Sequence, residues 1–280
     1  MNKLKVIFKE NWGSILLSYF LFTMQSMFLL FYPKILGDSI DHLINKDYFY
    51  VGYLMLCFIG LMFFGYLSQI YDTKVFSKIS RRFASKEISN QIDAGVETTK
   101  INGRLTLMSS IVSFFERDVI TILSTIYGLI GSIYFISLVD SMLVLYLVLS
   151  GIITIIVTIY FSPIIAKITE EINDISEEQT EVISTRKVSF INNLLRKTQK
   201  LSIKSSNIQA KYFLWIQIIA YGTVTSLLTY YVVNNKVTVG SVFSTYRYLF
   251  DFCISISQIP MLIASFINIR DVIKRLETEN

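Results

Sequence analysis

Residues 141–166 read SMLVLYLVLSGIITIIVTIYFSPIIA, without a single Asp, Glu, Lys or Arg. A helix rises about 1.5 Å per residue and the hydrocarbon core of a bilayer is about 30 Å thick, so this run is long enough to cross it. The residues that follow, KITEEINDISEEQTEVIS at 167–184, turn charged but keep a helical pattern. Ile165, Ile168, Ile172, Ile175 and Val182 recur at spacings of three and four, with Gln179 in the remaining seam position. That is a heptad stripe. The pattern predicts one helix that crosses a membrane and continues into water.

Five further stretches read the same way, at 12–32, 48–71, 119–139, 212–233 and 239–269, and only the last contains charged residues. Barrel strands would alternate over about ten residues instead of running apolar for twenty. The first stretch is too long for the apolar region of a signal peptide, and no small-residue cleavage pattern follows it, so it reads as a retained span. The composition agrees. Of 280 residues, 52% are hydrophobic and 17% are charged, with a mean hydropathy of +0.52. A soluble domain carries about 25% charged residues. Disorder, collagen-like repeats and a disulfide scaffold are excluded. Cys57 and Cys253 lie in apolar runs, and His42 is the only histidine. No zinc cluster, Cys–His pair or Ser–His–Asp triad can be assembled, so no catalytic or metal-ligating set is expected. The net charge of +5 fits a positive-inside membrane protein, and no nucleic-acid partner is expected.

Basic residues set the expected orientation. Lys3, Lys5 and Lys9 precede the first span, and eight basic residues lie between spans two and three. Eight more lie between spans four and five, and Arg270, Lys274 and Arg275 follow the sixth. The opposite side holds Lys34, Lys46 and Lys236. Both termini and both long connections are expected in the cytoplasm, with the chain in the plasma (inner) membrane. Those connections exceed 40 residues and contain no proline, so they read as helices that continue out of the bilayer. A helix over 51–90 would be about 60 Å long and would project some 30 Å beyond it. The stretch 73–86 carries five basic residues and no acid, around an apolar stripe of Phe76, Ile79 and Phe83. The stretch 168–183 carries six acids and no base. The two stripes are expected to cover each other, within one chain or across a dimer, bringing Lys78, Arg82 or Lys86 near Glu170, Asp174 or Glu178.

Span six carries Arg247 and Asp251 inside its apolar run. Each costs about 2.5–3.5 kcal/mol at the centre of a spanning helix. With Ser244, Ser255, Gln258 and Ser265 they share an arc of about 80°. Such a stripe faces either a water-filled, substrate-lining cavity or neighbouring helices, and both readings stay open. Gln25 in span one has the same two readings. Pro260 is expected to loosen the helix below the stripe.

Four segments resemble the transmembrane domain of an ABC exporter of the six-helix, type IV class. They are Tyr32-Pro33-Lys34-Ile35-Leu36-Gly37-Asp38-Ser39-Ile40-Asp41, Asn102-Gly103-Arg104-Leu105, Lys236-Val237-Thr238-Val239-Gly240-Ser241-Val242, and Asn268–Leu276. No segment is specific alone; their order and spacing carry the resemblance, which covers essentially the whole chain as one domain, 1–280. The stretch Phe114-Phe115-Glu116-Arg117-Asp118 departs from the family's usual pattern at the start of span three.

The resemblance implies an all-α membrane protein with two long cytoplasmic helical hairpins, working as a homodimer or beside a related half-transporter. It implies tips near 88–100 and 188–197 that couple to an ATPase. Asp93 and Gly95 mark the first tip, and Phe190 and Asn193 the second. None of the 12 glycines precedes a lysine, so no phosphate loop can form. ATP and magnesium are therefore expected on a separate nucleotide-binding ATPase subunit, with no cofactor and no enzymatic activity on these residues. The expected function is the membrane-spanning subunit of an ATP-driven exporter. One alternative is a degenerate exporter domain acting as membrane scaffold, immunity or regulatory partner. Another is an ion-coupled transporter using Asp251.

Overall fold

A computed structural model describes residues 2–93, 98–184 and 188–278. Every regular element in it is helical: α1 (Asn2–Ile44), α2 (Phe49–Asp93), α3 (Thr98–Ser113), a π-helical turn (Phe114–Asp118), α4 (Val119–Ser137), α5 (Ser141–Ser184), α6 (Val188–Asn234) and α7 (Val239–Thr278). Six stretches are long and apolar enough to cross a membrane: Glu10–Ile44, Phe49–Ser85, Leu107–Ser137, Ser141–Ile172, Val188–Asn234 and Val239–Lys274. The six expected spans overlie them. Large apolar side chains stay exposed along them, Met62 at 74% and Ile159 at 67%. A surface of this kind suits lipid rather than water. The chain is an all-α, multi-pass integral membrane protein.

The helices gather into two compact units, Met1–Asp140 with Tyr231–Asn280, and Ser141–Tyr230. In the first, α1 and α2 form an antiparallel hairpin. Ser18 faces Asp72, Tyr32 packs on Phe58, and Ser39 reaches the Tyr50 carbonyl, all in one register. The turn between them is closed in the Schellman manner, with Lys46 at φ 62° and the Asp47 N–H donating to the His42 carbonyl at 2.9 Å. Helix α7 runs antiparallel to both α1 and α4, and continues through Pro260 without interruption.

The half of this unit that holds the start of α1 closes on a core of Ile15, Phe76, Ile79, Ile111, Val112, Ile269 and Val272. The apolar stripe of the basic extension thus finds cover within its own unit. It is covered by α1, α3 and α7, with Phe83 packed at the edge. Three neighbouring helices of this unit thereby exclude water from the stripe. The side chains of Lys86 and Glu178 lie outside the described residues.

The stretch singled out at 114–118 forms the π-helical turn. A π turn widens the helix and shifts its carbonyls out of the ordinary ladder. The Tyr19 hydroxyl donates to the Phe115 carbonyl at 2.9 Å, so a partner on α1 meets the turn.

The second unit is a hairpin of α5 and α6. Tyr146 packs on Tyr230, Phe161 packs on Tyr212, and Thr158 and Tyr212 share a hydrogen bond of 3.3 Å. Ile168 and Ile175, two seam positions of the heptad stripe, are buried at 2% and 3%.

Candidate functional site

The polar stripe of α7 divides by burial. Ser244 is 6% exposed, and its hydroxyl lies 2.8 Å from the Pro33 carbonyl of α1 and 2.9 Å from the Gly240 carbonyl of its own helix. Ser255, also 6% exposed, bonds back to the Asp251 carbonyl and sits against Gly128 of α4. Both serines are helix–helix contacts. Gln258 is half-buried and accepts the Thr125 hydroxyl of α4 at 2.8 Å. The charged pair lies further out. Arg247 grips Asp251 with two nitrogens, Nε to Oδ2 at 3.2 Å and Nη2 to Oδ1 at 3.0 Å, with the side chains 38% and 25% exposed. A bidentate pair of this kind is planar and directional. It joins two residues one turn apart, so it closes on α7 itself and leaves its outer edge for solvent or another group.

Below this pair and beside it, Tyr248 ties α7 to both neighbours. Its ring stacks on Phe135 of α4 at 4.7 Å, and its hydroxyl donates to the Leu30 carbonyl of α1 at 3.1 Å. Gln25, the lone amide of span one, lies over Gly65 of α2.

The N-terminal end of α7 shows a connection that sequence reasoning missed. The segments at 32–41 and 236–242, each singled out for its own pattern, bind each other. Asp41 accepts the Thr238 hydroxyl at 2.5 Å and the Gly240 N–H at 2.8 Å. Thr238 in turn caps α7: its hydroxyl oxygen accepts the Ser241 N–H at 3.1 Å, while Ser241 Oγ accepts the Thr238 N–H at 3.0 Å. This is a reciprocal cap with a carboxylate from another helix added at the positive end of the helix dipole. Gly37 and Gly240 let the backbones meet. A Cβ on either would run into the backbone of the other. No local pattern reports that two segments about 200 residues apart share one carboxylate.

A second missed group lies in the N-terminal half of span one, where the Ser18 hydroxyl donates to Asp72 at 2.5 Å and Thr23 meets Tyr127 at 2.9 Å. Asp72 is the first charge after span two, so the sequence placed it outside the bilayer; pairing with Ser18 draws it alongside span one.

The hairpin tips are described in part. Helix α2 ends at Asp93 and α3 begins at Thr98; Gly95 and the Asp93 side chain lie outside the described residues. At the second tip, Phe190 and Asn193 lie in the first two turns of α6, and both are exposed, Phe190 at 54%. A cavity of about 320 Å³ opens between α1 and α2, lined by Phe28, Phe31, Asp38, Tyr50 and Tyr53 among others. None of the α7 stripe lines it. No group of acidic, histidine or cysteine side chains suited to a metal occurs among the described residues.

No curated protein matches the chain. The family model described as the ABC transporter transmembrane region matches residues 4–241. The chain belongs to that family, and is thereby a membrane-spanning component of a transporter.

Proposed function

We propose that the chain is the membrane subunit of an ATP-driven exporter, forming the substrate pathway and taking its power from a separately encoded ATPase. The observation that carries this reading is the second hairpin tip. Phe190 and Asn193 stand exposed at the start of α6, an apolar and an amide group together, as a docking knob requires. The distribution of basic residues supports both termini and both hairpins on the cytoplasmic side of the plasma (inner) membrane. ATP and magnesium belong on the partner, since these residues contain no Gly-Lys step for a phosphate loop. Two copies, or one copy beside a related half, complete the pathway, with Arg247, Asp251 and Gln258 as its polar lining.

The test replaces Phe190 and Asn193 together with Asp in the chain reconstituted with its ATPase. Association and stimulated ATP hydrolysis should fall at least tenfold while insertion is unchanged. Unchanged association would overturn the docking assignment.

A second reading is favoured by the closed Arg247–Asp251 pair and the two serines engaged between helices. Here the chain is a non-transporting exporter domain acting as a membrane scaffold or regulatory partner. Substituting Arg247 and Asp251 together with Ala separates the two. A lining pair alters cargo selectivity or abolishes transport at unchanged ATPase association; a scaffold leaves every transport readout at background before and after.

A further inference from the structure

The two faces of α2 part company in its inner half. Phe76 and Ile79 turn into the core. The opposite face starts apolar, with Ile59, Met62, Phe63 and Tyr66 each more than half exposed, and then carries exposed Lys74, Lys78, Arg81 and Arg82. No acid interrupts it between Thr73 and Lys86. At 100° per residue, Ile59, Phe63, Tyr66, Ile70, Lys74 and Arg81 fall within an arc of about 80°, with Lys78 beside them. One continuous outward face thus changes from apolar to cationic. None of the four bases makes an ion pair among the described residues.

The α1–α2 register fixes the depth of this change. Ser18 faces Asp72 and Tyr32 faces Phe58, so Lys74 is level with Leu16 and Lys78 with Trp12. Both α1 residues are exposed, at 55% and 61%, and they stand at the start of the uncharged run of α1. Tryptophan at the end of a span favours the membrane–water boundary. From Lys74 to Arg82 the helix advances about 12 Å. That begins at the hydrocarbon edge and passes through a headgroup layer of about 5–7 Å. The lysine stems can lie along the apolar surface while their ammonium groups reach the phosphates.

We propose that this face of α2 binds the headgroups of anionic phospholipids in the leaflet at that end. Lipid is the occupant because the cationic row continues a lipid-facing surface at headgroup depth. A protein seated there would have to displace the lipid beside Tyr66 and Ile70. Anionic headgroups are selected because four unneutralised cations gain little from a zwitterion. Clusters of four or more bases directly after a spanning helix attract acidic lipid at about fivefold in affinity per residue.

The purified full chain in neutral detergent is titrated with phosphatidylglycerol and with phosphatidylcholine, and bound lipid per chain is read by native mass spectrometry. The expected result is at least a tenfold preference for phosphatidylglycerol, weakened by added salt. Lys74→Gln, Lys78→Gln and Arg81→Gln combined should bring the preference to within about twofold of unity. Lys74→Arg, Lys78→Arg and Arg81→Lys combined should retain it, which separates charge from folding. Arg196→Gln, Lys197→Gln and Lys200→Gln combined remove as much charge from the tip side of α6 and should also retain it. Equal binding of the two lipids by the natural chain overturns the proposal, as does a preference that survives the first variant. So does an equal loss in the α6 variant, which would make net charge the cause. Displacement of the lipid by millimolar inorganic phosphate would reduce the face to a simple anion site, and overturns it too. Loss of a protein partner in the first variant, with lipid preference unchanged, would assign the face to protein and equally defeat the proposal.

Discussion

The two ends of α7 are held in opposite ways. At its C-terminal end, Ile269 and Val272 join Phe76, Ile79 and Ile15 in an apolar cluster, where contacts are many and none is directional. At its N-terminal end the hold is polar and narrow: Asp41 grips Thr238 and Gly240, Ser244 reaches Pro33, and two glycines let the backbones touch. Apolar burial is non-directional and discriminates little between one apolar neighbour and another. Close backbone approach and satisfied hydrogen bonds are what select one partner. The N-terminal contact therefore sets which residues of α1 and α7 meet, while the C-terminal cluster tolerates repacking.

The largest expected effect probes the apolar cluster. Phe76→Ala should destabilise by about 4 kcal/mol through a cavity at a fully buried ring. Phe76→Leu should cost under about 1.5 kcal/mol, because the cluster can refill. Thermal unfolding in detergent reads both; a Leu variant as damaged as the Ala variant would break the idea of a repackable end.

Gly240→Ala sharpens the contrast from the other side. It adds a single methyl group against the Gly37 backbone and Asp41, and backbone cannot rotate away. A loss of about 3 kcal/mol is expected, nearly matching the removal of a whole ring at Phe76. A loss below about 0.5 kcal/mol would mean the polar contact slides as freely as the apolar one.

Asp41→Asn preserves shape while removing the charge at the α7 N-terminus and turning one acceptor into a donor. About 1–2 kcal/mol should be lost. A double-mutant cycle with Thr238→Val should show coupling, since the two side chains share a bond.

The smallest effect lies in the turn outside the spans. Asp47 accepts the Phe49 N–H and pairs with His42, each at 3.0 Å. The backbone bond chiefly, then His42, holds its carboxyl below the usual carboxylate range. A depressed folded value contributes stability that is complete above the unfolded pKa and disappears as pH falls through the folded one. The melting difference between the natural chain and Asp47→Asn should be constant above about pH 5 and shrink below about pH 4. A difference that persists in acid would show that the turn depends on shape alone.

The six spans, the long extensions and the charge asymmetry were legible because each depends on residues adjacent in sequence. An uncharged run such as 141–166 has no soluble alternative, and the stripe of Ile168 and Ile175 is visible at helical spacing and buried as such. The candidate site was legible only as a stripe. Burial placed Ser244 and Ser255 between helices and left Arg247 and Asp251 half-exposed, a division that periodicity within α7 does not contain. The stretch at 114–118 stood out as unusual, but a π turn depends on where the wide carbonyls find partners, and one such partner is Tyr19.

By itself, then, the sequence determined that the chain is helical, that it crosses a membrane six times, and where charge replaces apolar surface along each helix. Local composition and a bilayer about 30 Å thick suffice for that. Only the tertiary structure decided that Asp41 caps α7, that Asp72 pairs with Ser18, and that the stripe of the basic extension is covered by α1, α3 and α7. Those contacts join residues far apart in the chain. The apolar stripe is covered because water is excluded from it, and the polar contacts are selected by interhelical fit and by the cost of leaving a buried polar group unpaired.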